Sequence, residues 1–150
     1  MADARTKAAE PKAAEEITFY HEDIFEVPED GSGPFIKGYR CNSCGQLWFP
    51  RVVYCLDPEC WSEDLEPVPL SRKGLIYTCV DVYVGAPGVP TPYVWGYVDL
   101  PDGIRVPTIF DGKVKSFNIG DEVEVVAKPI RKNSVSEDII SWKFKKTTSA

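Results

Sequence analysis

The chain has 150 residues and 43% hydrophobic content, enough apolar material for one ordinary domain or two small ones sharing an interface. Its net charge of −6 and pI of about 4.8 weigh against a binder of phosphate backbones, which needs a basic face to displace counterions. No stretch approaches the roughly 20 apolar residues of a membrane-spanning helix, and the first 16 residues hold no apolar core that reads as a secretory signal, so a soluble cytoplasmic protein is expected.

Residues 1–16, rich in Ala, Lys and Glu, read as a mobile charged tail. Residues 17–27 are ambiguous. Ile17, Tyr20, Ile24 and Phe25 recur at helical spacing, which slightly favours a helix, although Ile24–Val27 also suits a strand. The one histidine, His21, has no nucleophile or carboxylate beside it in a catalytic pattern and reads as a surface or packing residue. A turn of Pro, Gly and charged residues follows at 28–34.

Residues 34–69 carry the most informative pattern. Cys41, Cys44, Cys55 and Cys60 form C-x2-C-x10-C-x4-C, two close pairs flanking a short hairpin with expected strands at Phe35–Tyr39 and Gln46–Phe49. Four thiolates at this spacing can converge on one tetrahedral metal with Zn–S bonds of about 2.3 Å. Gly45 after the second thiol permits the positive φ that turns backbone N–H groups toward sulfur. The expectation is one structural zinc per chain, in a rubredoxin-like ribbon. An iron site of rubredoxin type uses the same four thiolates, and disulfides or separate buried thiols are the competing readings. Arg40, Arg51, Arg72 and Lys73 gather around this segment, where cations would offset the charge of a tetrathiolate site; a phosphate contact is the sharper alternative.

Beyond residue 70 the chain reads as all-β. Strands are expected at Gly74–Val84, Tyr93–Leu100, Ile104–Phe110, Glu122–Lys128 and Asp138–Lys145, divided by Ala86-Pro87-Gly88, Pro101-Asp102-Gly103 and Asp111-Gly112. In the last strand Ile140, Trp142 and Phe144 alternate with Ser141, Lys143 and Lys145; Val123 and Val125 point inward from the strand before it. Five strands at this spacing indicate a closed OB-fold barrel over 70–145, with a sandwich as the runner-up and 146–150 as a tail. Cys79 lies among apolar strand neighbours and reads as a core residue. Tyr93, Trp95 and Tyr97 alternate with Val94, Gly96 and Val98, so packing the valines inward leaves an aromatic outer face. Such a face suits a protein contact or the ribbon, and nucleobase stacking less well given the charge.

The segment 17–69 is too small to bury all its apolar groups. Phe19, Tyr20, Phe25, Trp48 and Phe49 are therefore candidates for exposure in the isolated chain and for a partner interface; the competing reading makes them the seam between ribbon and barrel.

The run Gly38-Tyr-Arg-Cys-Asn-Ser-Cys-Gly-Gln-Leu-Trp-Phe-Pro-Arg51, then Cys55, Cys60, Lys73-Gly74, Tyr93–Leu100 and Ile119-Gly-Asp-Glu-Val123, resembles the thiolase-associated family of zinc-ribbon/OB-fold proteins. The likeness spans about residues 17–145. The four-residue gap between Cys55 and Cys60 departs from the family's usual two, and some members lack the cysteines, so membership alone does not guarantee metal. The resemblance implies a small non-catalytic partner of a thiolase-fold enzyme acting on acyl-CoA, whose OB module helps hold CoA or the subunit arrangement; it assigns no CoA-binding residue. The residues agree. Thiolytic cleavage of a 3-oxoacyl-CoA needs an activated thiolate and an acid–base partner, which His21 and Cys79 do not assemble. Two readings from other classes stay open: a single-stranded nucleic-acid binder and a rubredoxin-like electron carrier.

Overall fold

A computed structural model describes residues 18–19, 23–132, 135 and 137–147, with residues 18 and 19 described in backbone only. Its ten strands, in chain order, are β1 (Thr18–Phe19), β2 (Phe25–Glu26), β3 (Phe35–Cys41), β4 (Leu47–Trp48), β5 (Leu65–Pro69), β6 (Lys73–Val82), β7 (Tyr93–Asp99), β8 (Arg105–Phe110), β9 (Glu122–Lys132) and β10 (Asp138–Lys146).

Among the described residues no helix forms, which corrects the expectation over 17–27. Thr18–Phe19 and Phe25–Glu26 are strands, and residues 23–24 form a turn. Phe25 pairs with Ile36 of β3, and β1 runs parallel to β10 at Ile139 and Ile140. Apolar residues at helical spacing lose to strand partners that local periodicity does not reveal.

β6 to β10 close a barrel. β6, β7 and β8 form an antiparallel meander, β8 lies parallel to β10, β10 pairs antiparallel with β9, and β9 closes antiparallel onto β6. This is the closed five-stranded OB topology expected from the turn spacing, and closure leaves no barrel edge unpaired. Val94, Val98, Val106, Phe110, Val123, Val125 and Phe144 fill its interior. Phe117, from the β8–β9 connection, packs on Phe110 with ring centroids 5.1 Å apart.

Alternation holds in β7, where Val94, Gly96 and Val98 are buried and Trp95 is exposed. Gly96 is required there. A Cβ at that position would lie 2.0 Å from the Thr78 carbonyl oxygen, next to a register shift between Ile76 and Thr78. Alternation is less clean in β10. Phe144 is buried as expected, but Ile139 and Ser141, on the other side, are buried too, and the register shifts between Ile139 and Ile140. The extra residue of that shift is Ile130 of β9, so it does not turn β10 over; Ser141 and Phe144 are both buried because β10 is covered on both faces.

The N-terminal sheet is built on β3, flanked by β2, β4 and β5. β5 escapes notice in the sequence because Pro67 and Pro69 interrupt it. It pairs with β3 alone, so both prolines sit on an edge strand. Phe25, Ile36 and Leu70 join the barrel residues in one continuous apolar cluster. Phe25 is 2% exposed and packs against Trp142 at 6.3 Å, which corrects its expected exposure: it belongs to the seam between sheet and barrel. Phe49 packs partly buried against the same cluster, and Trp48 is half-buried with its ring N–H buried and unpartnered. The side chain of Phe19, and all of Tyr20 and His21, lie outside the described residues.

Candidate metal centre

The first knuckle begins where β3 ends. Cys41 N donates to Gln46 O at 2.9 Å, and Gly45 N returns to Cys41 O at 2.8 Å, so the chain reverses within five residues. Gly45 takes φ +79°, as the reversal requires.

The second knuckle handles its longer gap with a short turn. The Asp57 side chain accepts the Glu59 N–H at 3.0 Å, and the Asp57 carbonyl accepts the Cys60 N–H at 3.0 Å. After Cys60 the left-handed position falls to Trp61, with φ 55°, where the first knuckle has Gly45. The knuckles are tied to each other. Asn42 donates to Asp64 through side chain (3.0 Å) and backbone (2.9 Å), and the Ser43 and Ser62 hydroxyls meet at 2.9 Å.

These turns bring all four cysteine sulfurs within 4.8 Å of one another. Cys41 Sγ lies 3.6 Å from Cys60 Sγ, and Cys44 Sγ lies 3.5 Å from Cys55 Sγ. Four bonds of about 2.3 Å to a tetrahedral centre place ligand sulfurs about 3.8 Å apart, whereas a disulfide needs about 2.05 Å. The spacing fits a shared cation and does not fit two disulfides. Cys41 and Cys55 are buried, Cys60 is half-buried and Cys44 is exposed, so one side of the site faces water.

The charges agree. The Cys44 and Ser43 backbone N–H groups hold the Cys41 thiol well below its usual range, down to about 6, against the effect of burial. At Cys44 the Gln46 N–H also favours the thiolate, but burial and the facing thiols outweigh it and push the group up to about 12. Cys60 is raised as well: its Ser62 N–H is outweighed by burial and its neighbours. Four sulfurs this close cannot all ionise alone, and a divalent cation at their centre removes that penalty. Two of the four cations expected to offset the site have other partners. Arg51 sits over the Tyr39 ring at 6.0 Å, and Arg72 donates to Gly33 O at 3.2 Å.

Cys79 stands apart. Burial, then the nearby Asp81 and Asp121 carboxylates, raise its thiol, and its Sγ lies 3.8 Å from the Phe117 carbonyl. That is the setting of an inert thiol, not of a nucleophile.

Between sheet and barrel lies a cleft of about 580 Å3. Ile24, Phe49 and Pro50 line one part, and Trp95, Arg105 and Trp142 line another. The outward aromatics are ordered around it. Trp95 and Tyr97 meet edge to face at 5.2 Å, and Arg105 grips Asp99 at 2.6 Å while covering the Tyr77 ring at 3.4 Å.

Comparison with known proteins places this architecture. Residues 36–66 match the ChsH2 rubredoxin-like zinc ribbon domain, and residues 67–128 match the ChsH2 C-terminal OB-fold domain. The benzoylsuccinyl-CoA thiolase subunit BbsA of Geobacter metallireducens is 49% identical over 142 residues, 95% of this chain and 92% of that protein. The subunit of the same name from Thauera aromatica is 45% identical over 91% of this chain and 93% of its own. The chain belongs to the ChsH2-type zinc-ribbon/OB-fold family. Among solved structures, the Ltp2-ChsH2(DUF35) aldolase shares the fold, with a TM-score of 0.62 over 76% of this chain and 86% of that one, at 23% identity. The knuckle cysteines were legible from their spacing; Trp61 was not, because nothing in its residue type announces a left-handed backbone.

Proposed function

We propose that this chain is a non-catalytic, zinc-binding subunit of a thiolase-type acyl-CoA acyltransferase complex, assisting assembly and substrate binding in the cleavage of a 3-oxoacyl-CoA. The observation that carries this is the likeness to two benzoylsuccinyl-CoA thiolase subunits at 45–49% identity over at least nine tenths of each chain. It makes 2-benzoylsuccinyl-CoA the first substrate to try.

The chemistry supports the division of labour. Cys79 is a half-buried thiol with a raised pKa, and the other four cysteines face one another, so the acyl-accepting thiolate belongs to the partner. One zinc per chain, held by Cys41, Cys44, Cys55 and Cys60, fixes the two knuckles relative to β3. Four protein ligands leave no open position for a water or substrate, which makes the metal structural. The cleft supports the contact with acyl-CoA: its apolar walls and the guanidinium groups of Arg105 and Arg131 in its lining suit an amphipathic anion. Trp48 and Phe49, both half-buried, remain in the proposed interface with the thiolase-fold subunit, whereas Phe25 leaves it.

Co-expression with candidate thiolase-fold proteins from the same organism, followed by purification through a tag on this chain, tests the reading. Recovery of a stoichiometric hetero-oligomer is expected; recovery of this chain by itself at micromolar concentration contradicts it.

A further inference from the structure

The second knuckle carries an apolar surface that neither the metal centre nor the core uses. Val53, Tyr54, Leu56 and Trp61 are 79%, 43%, 45% and 55% exposed. They are gathered rather than scattered. Cys55 N donates to Ser62 O at 2.7 Å, drawing the two ends of the knuckle side by side, and the Tyr54 and Trp61 rings lie 5.5 Å apart at a 43° tilt. Trp61 is fixed in place by its left-handed backbone and by its ring N–H, which donates to Pro58 O at 2.7 Å. A large aromatic side chain already held in one geometry loses little freedom on binding, which suits an interface anchor.

Lys37 and Arg51 adjoin this surface at its Val53 edge, but the knuckle segment itself is acidic. Residues 53–66 contain five carboxylates, Asp57, Glu59, Glu63, Asp64 and Glu66, and no Lys or Arg. Four thiolates around a divalent cation add a formal −2 beneath them. The structure assigns this face as a docking surface for a protein whose own apolar patch is ringed by Lys and Arg. Resting on the function proposed above, that protein is the thiolase-fold subunit. The charge disfavours the other occupants. A second copy docked through the same patch would set five carboxylates against five. Nucleic acid and anionic membranes present the same sign again.

The test measures affinity of the zinc-loaded full chain for a thiolase-fold protein from the same organism. Three variants are compared with wild type: Leu56→Ser, Trp61→Gly, and the double variant Glu59→Lys/Glu63→Lys. Glycine tolerates the left-handed backbone at 61, and the other sites are exposed, so zinc content and melting temperature are expected to hold. Each variant is expected to bind at least about tenfold more weakly. Wild-type binding is expected to fall as salt rises from about 50 to about 500 mM, with the double variant losing that dependence. Wild-type binding with all three variants within twofold of it overturns this inference alone. A wild-type chain that does not bind the thiolase-fold protein at all overturns both this inference and the functional reading.

Discussion

The knuckle cysteines show how far one residue's role can be read before any fold is known. Ligand spacing is local, so Cys41, Cys44, Cys55 and Cys60 declare themselves in the chain, and the fold places their sulfurs within 4.8 Å. Phe25 was not legible in the same way. Its burial depends on Ile36 opposite it and on Trp142 more than a hundred residues away. Two substitutions test the residue-level account. Cys44→Ser is expected to abolish stoichiometric zinc and to speed amide exchange in β3 and β5 while β6–β10 amides stay protected; full zinc occupancy, by elemental analysis, in a Cys41→Ser/Cys60→Ser double variant contradicts the assignment. Gly96→Ala drives a methyl group into the Thr78 carbonyl and is expected to cost at least about 2 kcal/mol, read from denaturant unfolding; an unchanged midpoint shows that β6 and β7 can part without loss.

At the scale of elements, the five barrel strands were legible because two signals coincide: period-two alternation inside each strand and Gly or Pro turns between them. β5 was hidden by its prolines, which are tolerated because β3 is its one neighbour. The segment 17–27 misled because four apolar residues fit a helical stripe and a pair of short strands equally well, and the strand partners that decide, β3 across the next turn and β10 at the far end of the chain, lie outside the segment. If Phe25 joins sheet to barrel, Phe25→Ala is expected to destabilise the isolated chain by about 3–5 kcal/mol. An interface role alone would instead leave melting of the isolated chain near normal and weaken co-purification. Early melting with normal assembly at low temperature is the expected pattern for Phe25, and the reverse pattern contradicts the seam.

For the whole molecule, the described residues include no helix long and apolar enough to cross a membrane. The strongest rival function comes from the outward aromatic face of the barrel, where Trp95 and Tyr97 could stack bases. The net charge of −6 opposes it. A gel-shift titration with single-stranded oligonucleotides at low salt is expected to show no binding at micromolar protein; salt-sensitive micromolar binding would promote that reading over the thiolase one. The same net charge that argues against nucleic acid fits a protein that works by docking to a basic partner. Family membership was legible through resemblance, not through composition, because a zinc ribbon and an OB barrel serve many unrelated tasks.

The central claim, that this chain completes a thiolase without performing its chemistry, is tested most directly by reconstitution. Purified chain, purified thiolase-fold protein and their mixture are each assayed for CoA-dependent cleavage of 2-benzoylsuccinyl-CoA. The account predicts cleavage by the mixture, at a rate well above that of the thiolase-fold protein alone, and none by this chain. Cleavage by this chain alone, or no gain on mixing, would contradict it.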